Sequence, residues 1–142
     1  MKFIENTYEE LESGQMESCT TVNHLGITFF GNAITAPEEE HPSNLFGGRL
    51  SESRAVLHAL QYERDLRYEE YKTISNFIKS CLNTKKFDAN SPSAKVMFHQ
   101  LNIAEKRYKE AREMVKSLGK AIQEMIDDRD KFFKKRTKEI KE

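Results

Sequence analysis

Two arginines in the C-terminal third of the chain, Arg129 and Arg136, have the type and the spacing to bind phosphate. They lie one heptad apart on a predicted helix, at positions where an apolar residue is expected. A guanidinium is planar and pairs with phosphate oxygens through two parallel hydrogen bonds, so two of them suit a pyrophosphate. The alternative is structural, since a polar residue in an apolar seam often fixes the register or the choice of partner at a cost in stability.

Phe98 and Asn102 supply the other groups that a purine nucleotide requires. An aromatic face stacks on the base, an amide matches its polar edge, and an arginine pairs with the phosphate. In an antiparallel dimer the start of one helix lies near the end of the other. Phe98 and Asn102 of one protomer are therefore expected beside Arg129 of its partner. The alternative for Phe98 is packing beneath the N-terminal hairpin.

No catalytic residue, metal site or cofactor is expected. The sequence has no phosphate-binding loop of the G-x-x-x-x-G-K-[ST] kind, no G-x-S-x-G and no H-E-x-x-H. Cys19 and Cys81 form no C-x-x-C pair. The four histidines lack metal-ligand spacing: His24, His41, His58 and His99. A non-enzymatic protein is the interpretation that these absences favour.

Charge is balanced over the whole chain but is distributed unevenly. Lys+Arg and Asp+Glu both number 23, yet residues 1–46 hold eight acids and one base. The basic C-terminal segment RDKFFKKRTKEIKE complements a helix dipole, and the rest of the chain is too acidic to favour a nucleic-acid polymer as partner. No apolar run approaches membrane-spanning length and the N-terminus lacks a signal-peptide core, so a cytoplasmic protein without membrane contact is expected.

A heptad seam supplies the element that would position the arginines. Steps of four and three residues from Met97 reach an apolar residue or Tyr at ten of twelve positions. These positions are Met97, Leu101, Ala104, Tyr108, Ala111, Val115, Leu118, Ile122, Met125, Arg129, Phe132 and Arg136. Ser91 and Pro92 are the predicted N-cap and first-turn proline. The pattern predicts a second helix over residues 92–141 that forms oligomers in coiled-coil fashion.

The remaining segments complete a single domain of the α+β class over residues 1–142. A β head and connector are predicted over residues 1–42, with a hairpin whose strands lie near 18–23 and 27–35 around the turn signal NHLG. A first helix is predicted over residues 43–82 and a short link over 83–91, which makes the two long helices antiparallel neighbours. Gly31, inside the second strand, indicates a bulge or a close approach of another backbone.

The stretch from Gly26 to Leu60 carries a pattern that also occurs in small phage proteins of Gram-positive bacteria. It reads GITFFGNAITAPEEEH and then FGGRLSESRAVLHAL. A strand ends in a glycine and a small residue, a proline and acidic residues follow, and a glycine and an Arg-Ala pair open a long helix. The matching residues are Gly26, Gly31, Ala33, Pro37, Glu38, Glu39, Gly47 or Gly48, Arg54 and Ala55.

This pattern, joined to a small β head and two long helices, resembles the first type of Thoeris anti-defence sponge family. The resemblance implies a phage protein that binds a cyclic ADP-ribose-type signal made by a bacterial TIR-domain enzyme and sequesters it without cleavage. It also implies a homo-oligomer, either a dimer or a dimer-based hexamer, in the host cytoplasm. Some relatives hold cyclic oligonucleotides at separate sites.

Arg54 is the only site residue that transfers with the pattern itself. It would contact a phosphate or pair with the acidic connector that contains Glu38 and Glu39. The cysteine that some relatives carry before the proline is replaced here, where Thr35 and Ala36 stand. The other candidate ligand residues, chosen on physical grounds, are Phe98, Asn102, Arg129 and Arg136.

A different class of function explains the seam equally well. In that interpretation the protein is a structural or adaptor coiled coil whose second helix docks a partner protein, and the seam arginines set the register. Capture of a cyclic nucleotide distinguishes the two hypotheses, because an adaptor has no reason to bind one.

Overall fold

The chain forms a small antiparallel sheet followed by two long helices, in a computed structural model that describes residues 1–35, 44–84 and 86–141. The side chains of residues 44, 45, 133 and 136–141 lie outside the described part. The strands are β1 (Lys2–Glu10), β2 (Met16–His24) and β3 (Ile27–Ile34), in the sheet order β1-β2-β3. The helices are α1 (Asn44–Leu82) and α2 (Pro92–Lys141). The predicted α+β class is confirmed.

The turn between β2 and β3 follows directly from the sequence NHLG. Leu25 and Gly26 both have positive φ, at 54° and 78°, and His24 pairs with Ile27. Two central residues with positive φ define the tight turn whose twist matches paired strands, and glycine takes such a φ without strain. The predicted hairpin is confirmed. β1 extends the sheet to a third strand along the other side of β2.

The contacts between residues divide the chain into two compact units. The first unit comprises Met1–Ala59 and Lys116–Glu142, and so contains the sheet, the start of α1 and the end of α2. The second unit, Leu60–Val115, contains the rest of both helices and the link between them.

In the first unit, α1 lies directly on the sheet. Val22 is fully buried with Ala55 and Ala59. A Cβ atom placed on Gly31 would collide with the backbone of Ser51 and Ala55, so only glycine lets the helix approach β3 this closely. The close backbone approach predicted for Gly31 is confirmed.

A second apolar cluster in the same unit joins β3 to both helices. Its buried members are Ala33 at the end of β3, Leu50 on α1 and Ile122 on α2. Partly buried side chains pack around them: Phe46, Leu57, Leu118, Met125 and Ile126. The end of α2 as far as Ile126 is therefore covered by its own chain.

The second unit is an antiparallel pair of helical segments. The rings of Tyr68 and Tyr108 lie 5.2 Å apart, and Tyr71 stacks on Tyr108 at 6.3 Å. The backbone N–H of Ala94 donates to the Ser91 hydroxyl at 3.2 Å, which satisfies a donor that a helix start leaves without an intrahelical partner. Ser91 is therefore the N-cap and α2 begins at Pro92, as predicted.

Four positions of the heptad seam are buried within the chain. The buried seam residues are Ala104, Ala111, Val115 and Ile122. Other seam positions are partly buried, among them Leu101, Tyr108 and Leu118. Phe132, near the end of the seam, is 57% exposed. Much of the seam is thus used for intramolecular packing, and the coiled-coil oligomer predicted from it remains a prediction.

Candidate functional site

Arg129, on α2 in the first unit, lies against an aromatic ring of α1. Its guanidinium carbon is 4.8 Å from the ring centroid of Phe46, and the arginine side chain is half-buried. Phe46 sits in the first turn of α1, which begins at Asn44. Residues 36–43, before this helix, lie outside the described part of the chain. A cation at this distance over a ring is attracted by the negative face of the π system.

The contact between Arg129 and Phe46 bears on what Arg129 can bind. Stacking engages the flat face of a guanidinium, whereas its five N–H donors lie in the plane. The direction of the guanidinium fork decides whether a carboxylate or phosphate can accept two hydrogen bonds at once. The contact with Phe46 restricts the positions that this cation can take.

Arg136 occupies a helical position seven residues beyond Arg129, or about two turns further along α2. Its side chain lies outside the described residues. The proposed pair of phosphate-binding arginines thus remains a prediction from the sequence.

Arg54 hydrogen-bonds to the sheet. Its guanidinium nitrogen donates to the backbone carbonyl of Asn32 at 2.7 Å. The acidic connector, its expected alternative partner, lies outside the described residues. One turn further along α1, Nδ1 of His58 lies 2.6 Å from the carbonyl oxygen of Phe30. Both side chains hydrogen-bond to β3.

Phe98 and Asn102 lie near the start of α2 in the second unit. Phe98 is half-buried and Asn102 is exposed. They are four residues apart, so both side chains project from neighbouring turns of one helical face. The expectation that they meet Arg129 of a partner concerns a second protomer and remains a prediction.

A polar cluster between the sheet and α1 was not predicted from the sequence. Thr20 donates to the side-chain oxygen of Asn6 at 2.6 Å, and Asn6 donates to Glu52 at 2.8 Å. The hydroxyl oxygens of Thr20 and Ser51 are 2.8 Å apart, and both residues are almost fully buried. The signal was present as the alternation of Ser18, Thr20 and Val22 along β2, whose buried polar members require partners on the packed face.

The second unit carries its own cation–aromatic contacts. Arg112 lies 5.6 Å from the ring centroid of Tyr108, and the ammonium of Lys72 lies 6.0 Å from that of Tyr68. A shallow groove beside them is lined by Leu66, Arg67, Glu69, Glu70, Thr73 and Ile74. Arg67 forms ion pairs with Glu63 and Glu70 there, so its charge is already matched within the helix.

The described residues contain no group of three or more His, Cys, Asp or Glu side chains placed to hold a metal ion. Among the helices of that part of the chain, none is both long and apolar enough to cross a bilayer. Comparison of the chain with models of protein families, with curated proteins and with solved structures gave no match.

Proposed function

We propose that this protein captures a cyclic, phosphate-bearing nucleotide signal of the cyclic ADP-ribose type and holds it without cleaving it. In this proposal it acts as a phage anti-defence sponge in the host cytoplasm and works as a homo-oligomer. Capture lowers the free concentration of the signal, so the effector that the signal would activate stays inactive. The task requires affinity and burial of the ligand, and it requires no general base.

The observation that carries the proposal is the cation–π contact of Arg129 with Phe46, 4.8 Å from the guanidinium carbon to the ring centroid. A half-buried guanidinium held on an aromatic face is a preorganised partner for a phosphate group. The entropy lost on binding is smaller when the fork is already oriented. Arg136, two turns further on, would supply a second fork for the other phosphate of a pyrophosphate.

The pattern that resembles the sponge family has a structural explanation in the β head. Gly31 and Ala55, two of its residues, meet where α1 lies on β3, and Arg54 bonds to the same strand. These three positions are explained by one packing arrangement of the β head. The pattern therefore marks a way of docking the first helix on the sheet, and the candidate ligand residues other than Arg54 lie outside it.

The ligand site is completed in this proposal by a neighbouring protomer. Phe98 would stack on the base and Asn102 would contact its polar edge, while Arg129 and Arg136 of the neighbour hold the phosphates. Arg54 keeps its bond to β3, and any contact with phosphate would be secondary.

A capture-and-release experiment tests this function. Purified protein is mixed with each cyclic ADP-ribose isomer in turn, and the free ligand is measured by mass spectrometry after the protein has been removed by filtration. The retained protein is then heated, and the released ligand is measured again. Loss of ligand on filtration followed by recovery of the intact ligand on heating supports sequestration.

Two results would contradict the proposal. Ligand that stays free in the filtrate with every isomer argues against capture and favours the adaptor hypothesis. Recovery of a linear or otherwise converted product argues for an enzyme.

A further inference from the structure

The two edges of the sheet differ in their contacts with helix α1. β3 forms one edge, where the backbone carbonyls of Phe30 and Asn32 hydrogen-bond to His58 and Arg54. β1 forms the other edge, and each of its nine residues is exposed. An edge strand offers a row of backbone N–H and C=O groups to any further strand that approaches it. The side of β1 that faces away from β2 is therefore where this sheet can be extended.

The part of β1 suited to pairing extends from Glu5 to Glu10. Its register with β2 is continuous over this stretch and shifts between Phe3 and Glu5. Six extended residues span about 20 Å, which is the usual length of a strand in a sheet. A bulge bends and twists an edge, so it limits pairing on its far side. A partner strand is therefore expected along Glu5–Glu10, which we call the open edge of β1.

Carboxylates line one face of this edge. Glu5 and Glu9 pair with Thr21 and Glu17 of β2, and they lie on the face of the sheet opposite to α1. Thr21 and Glu17 alternate along β2 with the buried residues of the α1 face, which are Ser18, Thr20 and Val22.

The pair formed by Glu9 and Glu17 is a like-charge pair. Two carboxylates directly across from each other in adjacent strands repel and lower stability. Asn32 donates a hydrogen bond to Glu17 at 2.9 Å, but an amide brings no positive charge. A cation on a further strand beside β1 would relieve the repulsion.

We propose that the open edge of β1 binds an extended, basic segment of a partner protein as a fourth strand. The backbone of this segment pairs with Glu5–Glu10, and two Lys or Arg side chains four residues apart lie opposite Glu5 and Glu9. Opposite residues in adjacent strands have Cβ atoms about 5 Å apart, which allows an ion pair at both positions. On the α1 face the segment places an apolar side chain beside the ring of Tyr8, which is 45% exposed.

A second copy of this chain fits the open edge poorly. Antiparallel pairing of two copies over the full length of Glu5–Glu10 puts Glu5 opposite Glu10 at both ends. Parallel pairing in register puts each glutamate beside its own copy, and like charges are destabilising in both cases. The basic C-terminal segment of the chain belongs to helix α2, which extends to Lys141, so it supplies no strand. The charges thus favour a basic partner and disfavour a copy.

This interface is independent of the proposed ligand site. The candidate ligand residues belong to the helices: Arg54, Phe98, Asn102, Arg129 and Arg136. Binding of a peptide at β1 and capture of a nucleotide are therefore measured separately, and loss of one leaves the other standing.

Binding of a labelled peptide to the full chain tests the proposal. The probe has blocked ends, a fluorescent label and the core Lys-Val-Thr-Val-Lys, which reads the same in both directions and so presents lysines to Glu5 and Glu9 in either orientation. Fluorescence anisotropy is expected to show saturable binding of this peptide and at least about tenfold weaker binding of a Glu-Val-Thr-Val-Glu peptide. Equal binding of the two peptides, or binding of neither, would overturn the proposal.

An exchange of charges locates the interface. The double variant Glu5→Lys, Glu9→Lys should bind the lysine peptide at least about tenfold more weakly and should gain binding of the glutamate peptide, which a misfolded β head could not do. Glu110→Lys with Glu113→Lys is the matched control, since both carboxylates are exposed on α2 and the change in net charge is the same. Equal weakening in the two double variants would show a general effect of charge and contradict binding at β1.

Peptides methylated on backbone nitrogens test whether the strand itself is recognised. Along a paired strand, residues that bond to the neighbour alternate with residues whose backbone groups point away. One lysine peptide is methylated at both valines and another at the threonine and the last lysine. One of the two should keep its affinity and the other should lose it. Equal affinities would show that side chains alone make the contact and would refute strand addition.

Sedimentation without peptide tests the other occupant. The native chain and the Glu5→Lys, Glu9→Lys variant are expected to have the same mass. A different mass for the variant would show that a second copy occupies the open edge, against the proposal.

Discussion

Arg54 and His58 lie one helical turn apart on α1 and bond to carbonyl oxygens two residues apart on β3. Arg54 reaches Asn32, and His58 reaches Phe30. Four residues of helix rise about 6 Å and two residues of strand span about 6.6 Å, so the two spacings match. A strand at the edge of a sheet exposes backbone groups that would otherwise pair with another chain. The two side chains therefore cover part of the open edge of β3.

Removal of the first contact is expected to destabilise the β head. Arg54→Ala should lower the free energy of unfolding by about 1 kcal/mol, the usual worth of one intramolecular hydrogen bond near the surface. Urea denaturation followed by circular dichroism measures the change. Arg49→Ala, an exposed arginine on the same helix, is the control and should change stability by less than about 0.5 kcal/mol. Equal effects of the two substitutions would remove any special role for Arg54.

The sequence predicted the architecture because its signals are local. The turn NHLG, the cap at Ser91 and the periodicity of α2 each depend on residues close together in the chain. The third strand was harder to predict, since every residue of β1 is exposed and its pattern shows no buried face. Pairing with β2 defines β1, through partners that lie 6 to 21 residues further along the chain.

The candidate site was only partly predictable for a similar reason. Arg129 stands out in the sequence as a charge in an apolar seam. Its contact with Phe46 joins residues on two different helices that are far apart in the sequence, and no local pattern specifies that pairing. Phe46 could be recognised only once α1 and α2 were placed together in the first unit.

Gly31 is expected to be the least replaceable glycine of the described residues. In Gly31→Ala the new methyl group would meet the backbone of Ser51 and Ala55, which cannot rotate away as a side chain can. Forcing α1 from the sheet should cost about 3 kcal/mol or more, at the upper end of overpacking effects. Thermal unfolding of the variant measures the loss.

Gly119→Ala is the matched control for this substitution. Gly119 lies inside α2 and its added Cβ would meet no atom within 4 Å. Alanine favours a helix interior over glycine by about 1 kcal/mol, so this variant should be more stable than the native chain. A Gly31→Ala protein as stable as the native one would refute the close approach of α1 to β3.

The buried hydroxyl of Thr20 is expected to contribute to stability through its partners. Thr20→Val keeps the shape of the side chain but removes the donor to Asn6 and the contact with Ser51. Leaving buried polar groups without a partner costs about 1–3 kcal/mol. Thr21→Val, the next residue along β2, is less buried and should change stability little.

A double substitution separates polar satisfaction from packing at this cluster. Ser51 also donates to the backbone carbonyl of Gly48 at 3.0 Å, and Thr20→Val leaves that bond in place. Thr20→Val combined with Ser51→Ala removes both hydroxyl groups, so their mutual contact is lost once in the double variant but is counted in each single variant. The double variant should therefore be less destabilised than the sum of the single variants. Strict additivity in urea denaturation would indicate that the two hydroxyl groups do not interact.

Ligand capture is expected to depend on Arg129 and on the ring beneath it. Arg129→Ala should abolish retention of a cyclic ADP-ribose isomer in the filtration experiment, because the phosphate loses its charged partner. Phe46→Leu keeps an apolar side chain of similar volume and removes the aromatic face. Retention should therefore weaken about tenfold rather than vanish, in line with a cation–π contribution of about 1–2 kcal/mol.

Arg112→Ala is the control for Arg129→Ala, since Arg112 also lies over a ring, that of Tyr108, in the other unit. Loss of binding in Arg112→Ala to the same extent as in Arg129→Ala would point to a general effect of positive charge. Loss of the oligomer in Arg129→Ala, measured by light scattering, would instead identify the arginine as a register device.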